Sequence, residues 1–432
     1  MTRNITLDAA LDEARRDYAA ANPASLAHHE RARDAMPGGN TRTVLYYDPF
    51  PLAFVRGEGA RLWDLDGHQY ADFLGEYTAG IAGHSHPAIR RAVVAALDGG
   101  ISLGGHNTIE PRFAEAVRAR FPAMEQLRFT NSGTEANLLA LSAAVAVTGR
   151  RRVMAFAGGY HGAVFVFSGG ANINVPFDWV VAPYNDTAGT LALLEAHAGD
   201  LAAVILEPML GGGGCLPAEP GFMHALRAAT ERHGIMLILD EVMTSRLAPG
   251  GLQTVYSVRP DLMTLGKYVG GGMSFGAFGG RADIMARFDP AHPQALPHAG
   301  TFNNNVLTMS AGLAALTEVY TPAAALALNA LGEALRERLN ALGREAGVGL
   351  HFTGYGSMLS AHVMANAPRT VADVATGNAA ARDLFFFDML RAGFWLARRG
   401  MMALSLPLTE ADIDRFAEAV SEFIATRGRL LH

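Results

Sequence analysis

The sequence predicts an α/β protein, with a large domain around a mostly parallel, doubly wound sheet and a smaller α+β domain made from both chain ends. Three observations carry this. Residues 235–239 are five apolar residues in a row closed by Asp240 and Glu241, the pattern of a strand buried on both faces with an acid at its C-terminal end. Between 152 and 280, short apolar runs alternate with helical stretches, as in a parallel sheet with crossover helices. Past Asn303, Asn304 and Asn305 the alternation gives way to long helices.

Taken in order, residues 8–36 are rich in Ala, Arg and Glu and read as helical, ending at Met36-Pro37-Gly38-Gly39. Residues 40–47 read as a strand or extended loop. Arg42 stands there among small and apolar neighbours, either as a solvated cation or as a carboxylate clamp. Residues 60–73 alternate about Asp66-Gly67 as a β-hairpin does. As a calcium loop this stretch fails, because His68 stands at the fifth position and Gly75 at the twelfth. His84, His86 and His106 lack a helix-spaced acid and read as loop and packing residues.

Ser132 and Glu135 have capping-box spacing before an Ala/Leu-rich helix that runs to about Val147. The same N-terminus would turn the N–H and hydroxyl groups of Ser132, Gly133 and Thr134 toward an anion, making a phosphate cup. Strands are expected at 152–157, 179–182, 201–206 and 235–239, with short ones near Met263 and Phe275, and helices at 187–198 and 222–233. Gly158-Gly159-Tyr160-His161-Gly162 and Glu207-Pro208-Met209 then fall on strand-end loops, where binding residues collect. In the C-terminal part, helices are expected at 308–318, 323–345 and 410–426, the last with Thr409 as N-cap, and strands around His351 and Met358. The domain division read from this pattern is 1–65 with 315–432 for the smaller part and 66–314 for the larger.

Length and composition set the outer limits. At 432 residues, half of them apolar and 18% charged, the chain can bury a large core in two domains. A net charge of −6 gives no electrostatic footprint for nucleic acid or an anionic membrane. Residues 1–18 are polar and of mixed charge, unlike a secretory signal, and no apolar run reaches the roughly 18 residues of a membrane span. With Cys215 as the single cysteine, an intramolecular disulfide or a cysteine metal cluster is excluded, and a soluble cytoplasmic protein is expected.

The chemistry concentrates at Asp240 and Lys267. Lys267 lies between Gly266 and a glycine-rich run, where backbone can approach closely and an amine can be held from water. A P-loop is excluded by Asp261 and Tyr268 where glycine and Ser or Thr would be required. A lysine near a strand-end acid suits pyridoxal phosphate: the amine forms a Schiff base with the aldehyde, and a carboxylate keeps the pyridine nitrogen protonated. A surface lysine and an ordinary strand-end acid are the plain alternative. There is no Rossmann GxGxxG and no internal repeat.

In shared order and spacing, residues 64–67, 83–87, 131–136, 159–162, 207–208, 240–242, Lys267 and 300–302 resemble the class III, fold type I pyridoxal phosphate aminotransferases, over nearly the whole chain. The resemblance implies Lys267 as the Schiff-base lysine, Asp240 as partner of the pyridine nitrogen, and Ser132, Gly133 and Thr134 on the phosphate. It further implies Tyr160 and Val242 against the two ring faces, His161 and Glu207 among the cofactor-binding residues, and Thr301 reaching the phosphate of a neighbouring subunit in a homodimer with shared sites. Residues 40–42, 75–80, 243–249 and 399–407 are more similar to the aromatic β-amino acid, β-phenylalanine type than to glutamate-1-semialdehyde aminomutases. That subgroup implies Arg42 for the carboxylate of a β-amino donor and Arg399 for the α-carboxylate of the acceptor, 2-oxoglutarate or pyruvate. The sequence leaves open which of Arg398 and Arg399 faces the substrate. The aminomutase, a D-phenylglycine-type transaminase, a racemase and a cofactor-binding regulatory module without turnover remain alternatives.

Overall fold

The computed structural model describes residues 6–169 and 173–431. The chain forms two compact units: one from the chain up to Tyr77, Ile81–Ser85 and the chain from Ala330 onward, the other from Thr78–Gly80 and His86–Asn329.

The second unit is built on a seven-stranded sheet in the order Gln126–Thr130, Gly276–Gly280, Leu262–Gly266, Met236–Asp240, Leu201–Leu206, Arg152–Phe156, Asp178–Ala182. Neighbouring strands pair in parallel except at Gly276–Gly280, which is antiparallel to both of its neighbours. Central strands are largely apolar because helices cover both faces; every residue of Leu201–Leu206 and Met236–Asp240 is buried, the terminal Asp240 included. Helix Gly133–Thr148 lays Ala136, Ala140, Leu141 and Ala144 into a core with Val153, Ala203, Ile205 and Phe278. At Gly276 a Cβ would stand 2.1 Å from the Ser132 carbonyl oxygen, so only glycine lets this strand pass beneath the helix start.

One strand lies outside the expected elements, and two expected elements are found with shifted ends. Gln126–Thr130 is an edge strand that polar Gln126 and Arg128 conceal. The strand expected near Phe275 begins one residue later and runs to Gly280. The helix expected over 308–318 starts at Val306 and ends as a π-turn, Ala315–Val319.

In the first unit, residues 8–36 form two helices, Leu7–Ala21 and Pro23–Ala35, because Pro23 offers no N–H and holds Asn22 out of helical geometry at φ −126° and ψ 50°. Of the strand or extended loop expected at residues 40–47, the structure has the loop, with a 3₁₀ turn at Thr43–Leu45. The hairpin pairs Arg61–Asp64 with Gln69–Asp72, and the Asp64 carboxylate accepts from the Asp66 and His68 amides at 3.0 and 2.8 Å across the turn. A three-stranded sheet is made of Leu350–Tyr355, Met358–Val363 and Met401–Ala403. Helix Glu410–Arg427 starts at a complete capping box of Thr409 and Asp412 and buries Ile413, Phe416, Val420 and Phe423. Among the described residues no single helix is long and apolar enough to cross a membrane.

Candidate active site

The C-terminal end of Met236–Asp240 presents a fixed carboxylate. Asp240 is 3% exposed, and its Oδ2 accepts from Asn137 Nδ2 at 2.8 Å and lies 2.8 Å from His161 Nδ1. The Val242 amide donates to Oδ1 at 3.0 Å. Asn137 is itself held, accepting from Thr264 Oγ1 at 2.7 Å and donating to the His161 carbonyl at 2.9 Å. These contacts, made to both carboxylate oxygens, hold the Asp240 side chain in one orientation. The other imidazole nitrogen, His161 Nε2, is buried with no hydrogen-bond partner among the described residues.

Lys267 directly follows the adjacent strand Leu262–Gly266 and opens a 3₁₀ turn at a left-handed φ of 53°. A non-glycine residue held there stores on the order of 1–3 kcal/mol of strain, which packing around it must offset. Val242 supplies part of that packing. A Cβ on Gly266 would come 3.0 Å from Val242 Cγ1, and one on Gly133 would come 2.8 Å from Cγ2. The valine is therefore wedged between the start of the helix and the strand that delivers the lysine.

At that helix start Ser132 is the N-cap, its Oγ accepting from the Glu135 amide at 3.2 Å. The reciprocal half of the expected capping box is absent: Glu135 Oε2 accepts from the Asn131 amide at 3.0 Å. Glu207 follows Leu201–Leu206 and accepts from the Tyr160 and Gly211 amides, both at 3.0 Å. Burial, reinforced by the charge of Asp240, pushes the Glu207 carboxyl up to about 7.

One cavity of about 280 Å³ is lined by Ser132, Gly133, Thr134, Tyr160, His161, Glu207, Asp240, Val242 and Lys267. Asn137, Met273 and Phe275 also line it and were not expected; Met243 lines it too, from the stretch 243–249 that carries the subgroup similarity. Asn137 lies one turn inside a helix and meets Asp240 across 103 positions of chain, so no local pattern signals it. Thr301 is exposed and is not among the lining residues. An amine, a fixed acid, helix N–H groups and an orphaned buried imidazole nitrogen are a set of groups that fits pyridoxal phosphate.

Arg42 and Arg399 belong to the first unit. Arg42 pairs with Glu76, and its guanidinium lies 5.6 Å from the centroid of the Tyr77 ring; that of Arg399 lies 5.2 Å from the same centroid. Arg398 turns elsewhere, with Nε donating to Asp383 at 2.8 Å.

The profile of the family described as aminotransferase class III matches residues 45–424. A β-phenylalanine transaminase from Variovorax paradoxus is 54% identical over 429 residues, 99% of each chain. The crystal structure of a β-phenylalanine aminotransferase from that organism superposes with a TM-score of 0.97 at 54% identity, again over 99% of each chain. A glutamate-1-semialdehyde 2,1-aminomutase from Sorangium cellulosum is 40% identical over 93% of this chain and 96% of its own. A transaminase solved with pyridoxal phosphate bound is 35% identical with a TM-score of 0.86, covering 94% of this chain and 99% of its own.

Proposed function

The chain belongs to the class III aminotransferases, and from that premise we propose that it moves the amino group of an aromatic β-amino acid, of the β-phenylalanine type, to 2-oxoglutarate or pyruvate in two successive half-reactions. Its cofactor is pyridoxal phosphate, which when bound supplies the electron sink for the substrate carbon that loses a proton.

In this reading Lys267 holds the cofactor and its amine removes the proton from the amine-bearing carbon of the donor. Asp240, held in place by Asn137, His161 and the Val242 amide, sets its carboxylate against the pyridine nitrogen. Ser132, Gly133 and Thr134 offer the helix N-terminus to the phosphate. Tyr160 and Val242 flank the ring, with His161 and Glu207 fixing the walls. Thr301, exposed in the single chain, is assigned to the phosphate of a neighbouring subunit, which makes the working unit a homodimer, and we assign that unit to the cytoplasm.

The observation that carries the substrate class is that two separate guanidiniums, Arg42 and Arg399, lie over one tyrosine ring. The carboxylate of a β-amino acid is one carbon further from the amine than that of an α-amino acid, so one fixed clamp cannot serve donor and acceptor equally. Arg42 is assigned to the donor carboxylate and Arg399 to the α-carboxylate of the oxo acid.

The test is to mix the holoenzyme with 3-amino-3-phenylpropanoate, without acceptor, and follow its visible spectrum. Loss of the band of the lysine-bound cofactor, with its amine form appearing, is the expected result. A band that does not move, in a protein that responds to a 4,5-diaminopentanoate-type substrate, would put the aminomutase reading first.

A further inference from the structure

Gly75, Glu76, Tyr77 and Thr78 have φ values of 54°, 48°, 52° and 81°, so four successive residues, three of them not glycine, are left-handed. Side-chain-bearing residues avoid this region, and a run of them persists only where the surroundings enforce it. Here the enforcement is visible. Asp72 Oδ1 accepts from the amides of Leu74 and Gly75, both at 2.9 Å, while its Oδ2 lies 2.9 Å from His84 Nε2. Gly75 sits so close to the strand beside it that a Cβ would stand 2.8 Å from the Ala403 carbonyl oxygen.

The product of this turn is the placement of Tyr77. It is 7% exposed, its hydroxyl donates to the Val44 carbonyl at 3.3 Å, and its ring lies beneath both Arg42 and Arg399. Two cations near one another repel, and the negative face of an aromatic ring is one of the few neutral groups that attracts both. The preceding residue, Glu76, pairs with Arg42, whereas the Arg399 guanidinium donates to Met401 Sδ at 3.3 Å and its Nε is buried with no hydrogen-bond partner among the described residues.

The geometry points to Tyr77 as a positioning residue that orients both carboxylate-binding arginines through one ring, with Glu76 as an internal carboxylate that occupies Arg42 until the donor's carboxylate replaces it. The inference rests on the assignment of Arg42 and Arg399 made above. It predicts a coupling that the two arginines alone do not require: removing the ring disturbs donor and acceptor together, whereas removing Glu76 disturbs the donor alone.

The experiment compares the holoenzyme with Tyr77→Met, Tyr77→Phe and Glu76→Gln, measuring kcat and KM separately for 3-amino-3-phenylpropanoate and for the oxo acid that turns over. Cofactor absorbance and melting temperature establish that each variant is folded and loaded. Tyr77→Met, which retains bulk without a π face, should raise both KM values about tenfold, with kcat within about twofold of the parent. Tyr77→Phe should restore both constants. Glu76→Gln should lower the donor KM by roughly two- to fivefold, as expected for an exposed competing pair, and leave the acceptor KM in place. A Tyr77→Met variant in which only one KM rises, or a Tyr77→Phe variant as impaired as Tyr77→Met, would overturn the inference. Where Tyr77→Met does not fold, Tyr77→Leu provides the same comparison. Arg42→Ala and Arg399→Ala separate the two levels of argument. If each raises its own substrate's KM while Tyr77→Met does not raise both, only the role of Tyr77 falls; if neither moves its KM, the assignment of the arginines falls as well.

Discussion

Asp240 Oδ2 lies 2.8 Å from His161 Nδ1, and both side chains are buried at the C-terminal end of a central strand. With Asn137 Nδ2 also 2.8 Å from that oxygen, the carboxylate is oriented by donors on both sides. Asp240→Asn keeps the shape but removes the charge and turns an acceptor into a donor. Turnover should fall by about 10²–10³, the cost of losing one preorganised electrostatic partner, while the protein still binds pyridoxal phosphate. Steady-state rates together with cofactor absorbance check this, and near-parental turnover would make the acid a structural one.

Lys267 holds a left-handed φ of 53° directly after a strand end that Val242 packs against the start of helix Gly133–Thr148. Lys267→Ala leaves that backbone demand in place and removes the side chain beyond Cβ, the amine included. Turnover should drop below detection and the absorption of the lysine-bound cofactor should disappear, even when free pyridoxal phosphate is supplied. An unchanged visible spectrum in the variant would remove Lys267 from the site.

Arg42 is more exposed than a rigid clamp would be and already carries a carboxylate partner in Glu76. Its contribution to donor binding is therefore close to that of one charged hydrogen bond, because the exposed pair with Glu76 that it gives up is worth little. Arg42→Ala should weaken use of a β-amino donor by on the order of 1.5–3 kcal/mol in kcat/KM, with the acceptor constant unaltered. Full kinetics with donor and acceptor varied independently decide it; an unaltered donor constant would exclude Arg42.

The parts legible in the sequence are those whose physics is local. A central parallel strand buries both faces and reads as an unbroken apolar run, so Met236–Asp240 and the acid at its end stand out. The Ser132 cap is written in residues three apart, and the hairpin in an alternation about Asp66-Gly67. What escaped depends on partners remote in the chain. Asn137 looks like an ordinary residue of an alanine-rich helix until Asp240 arrives beside it. Gln126–Thr130 carries polar residues because it is an edge strand, and its pattern is too mixed to read. The left-handed Glu76 and Tyr77 have no local preference for that geometry; Asp72, His84 and the strand at Ala403 impose it from outside.

Two buried carboxyls give the protein a pH dependence whose direction can be worked out in advance. Burial lifts Glu207 and Glu241 from 4.5 to about 7, against the opposing effect of the amides that each accepts from. Between about 4.5 and about 7 the folded chain therefore holds protons that the unfolded chain has released. Stability is fully present below the unfolded value and declines as pH rises through the folded one. Each group contributes at most roughly 3 kcal/mol over this window. Glu241 is the cleaner of the two to change, because it does not line the cavity. Its oxygens accept from the Leu252 and Gln253 amides at 2.8 and 2.7 Å and from Thr244 Oγ1 at 3.0 Å. Glu241→Gln places an NH₂ group against one of those donors, so a lower overall melting temperature is expected and does not by itself bear on the titration. The slope does. From pH 5 to pH 8 the holoenzyme's melting temperature should fall, and in Glu241→Gln it should fall about half as steeply; an equal slope in the two proteins would show that Glu241 does not change protonation across this range.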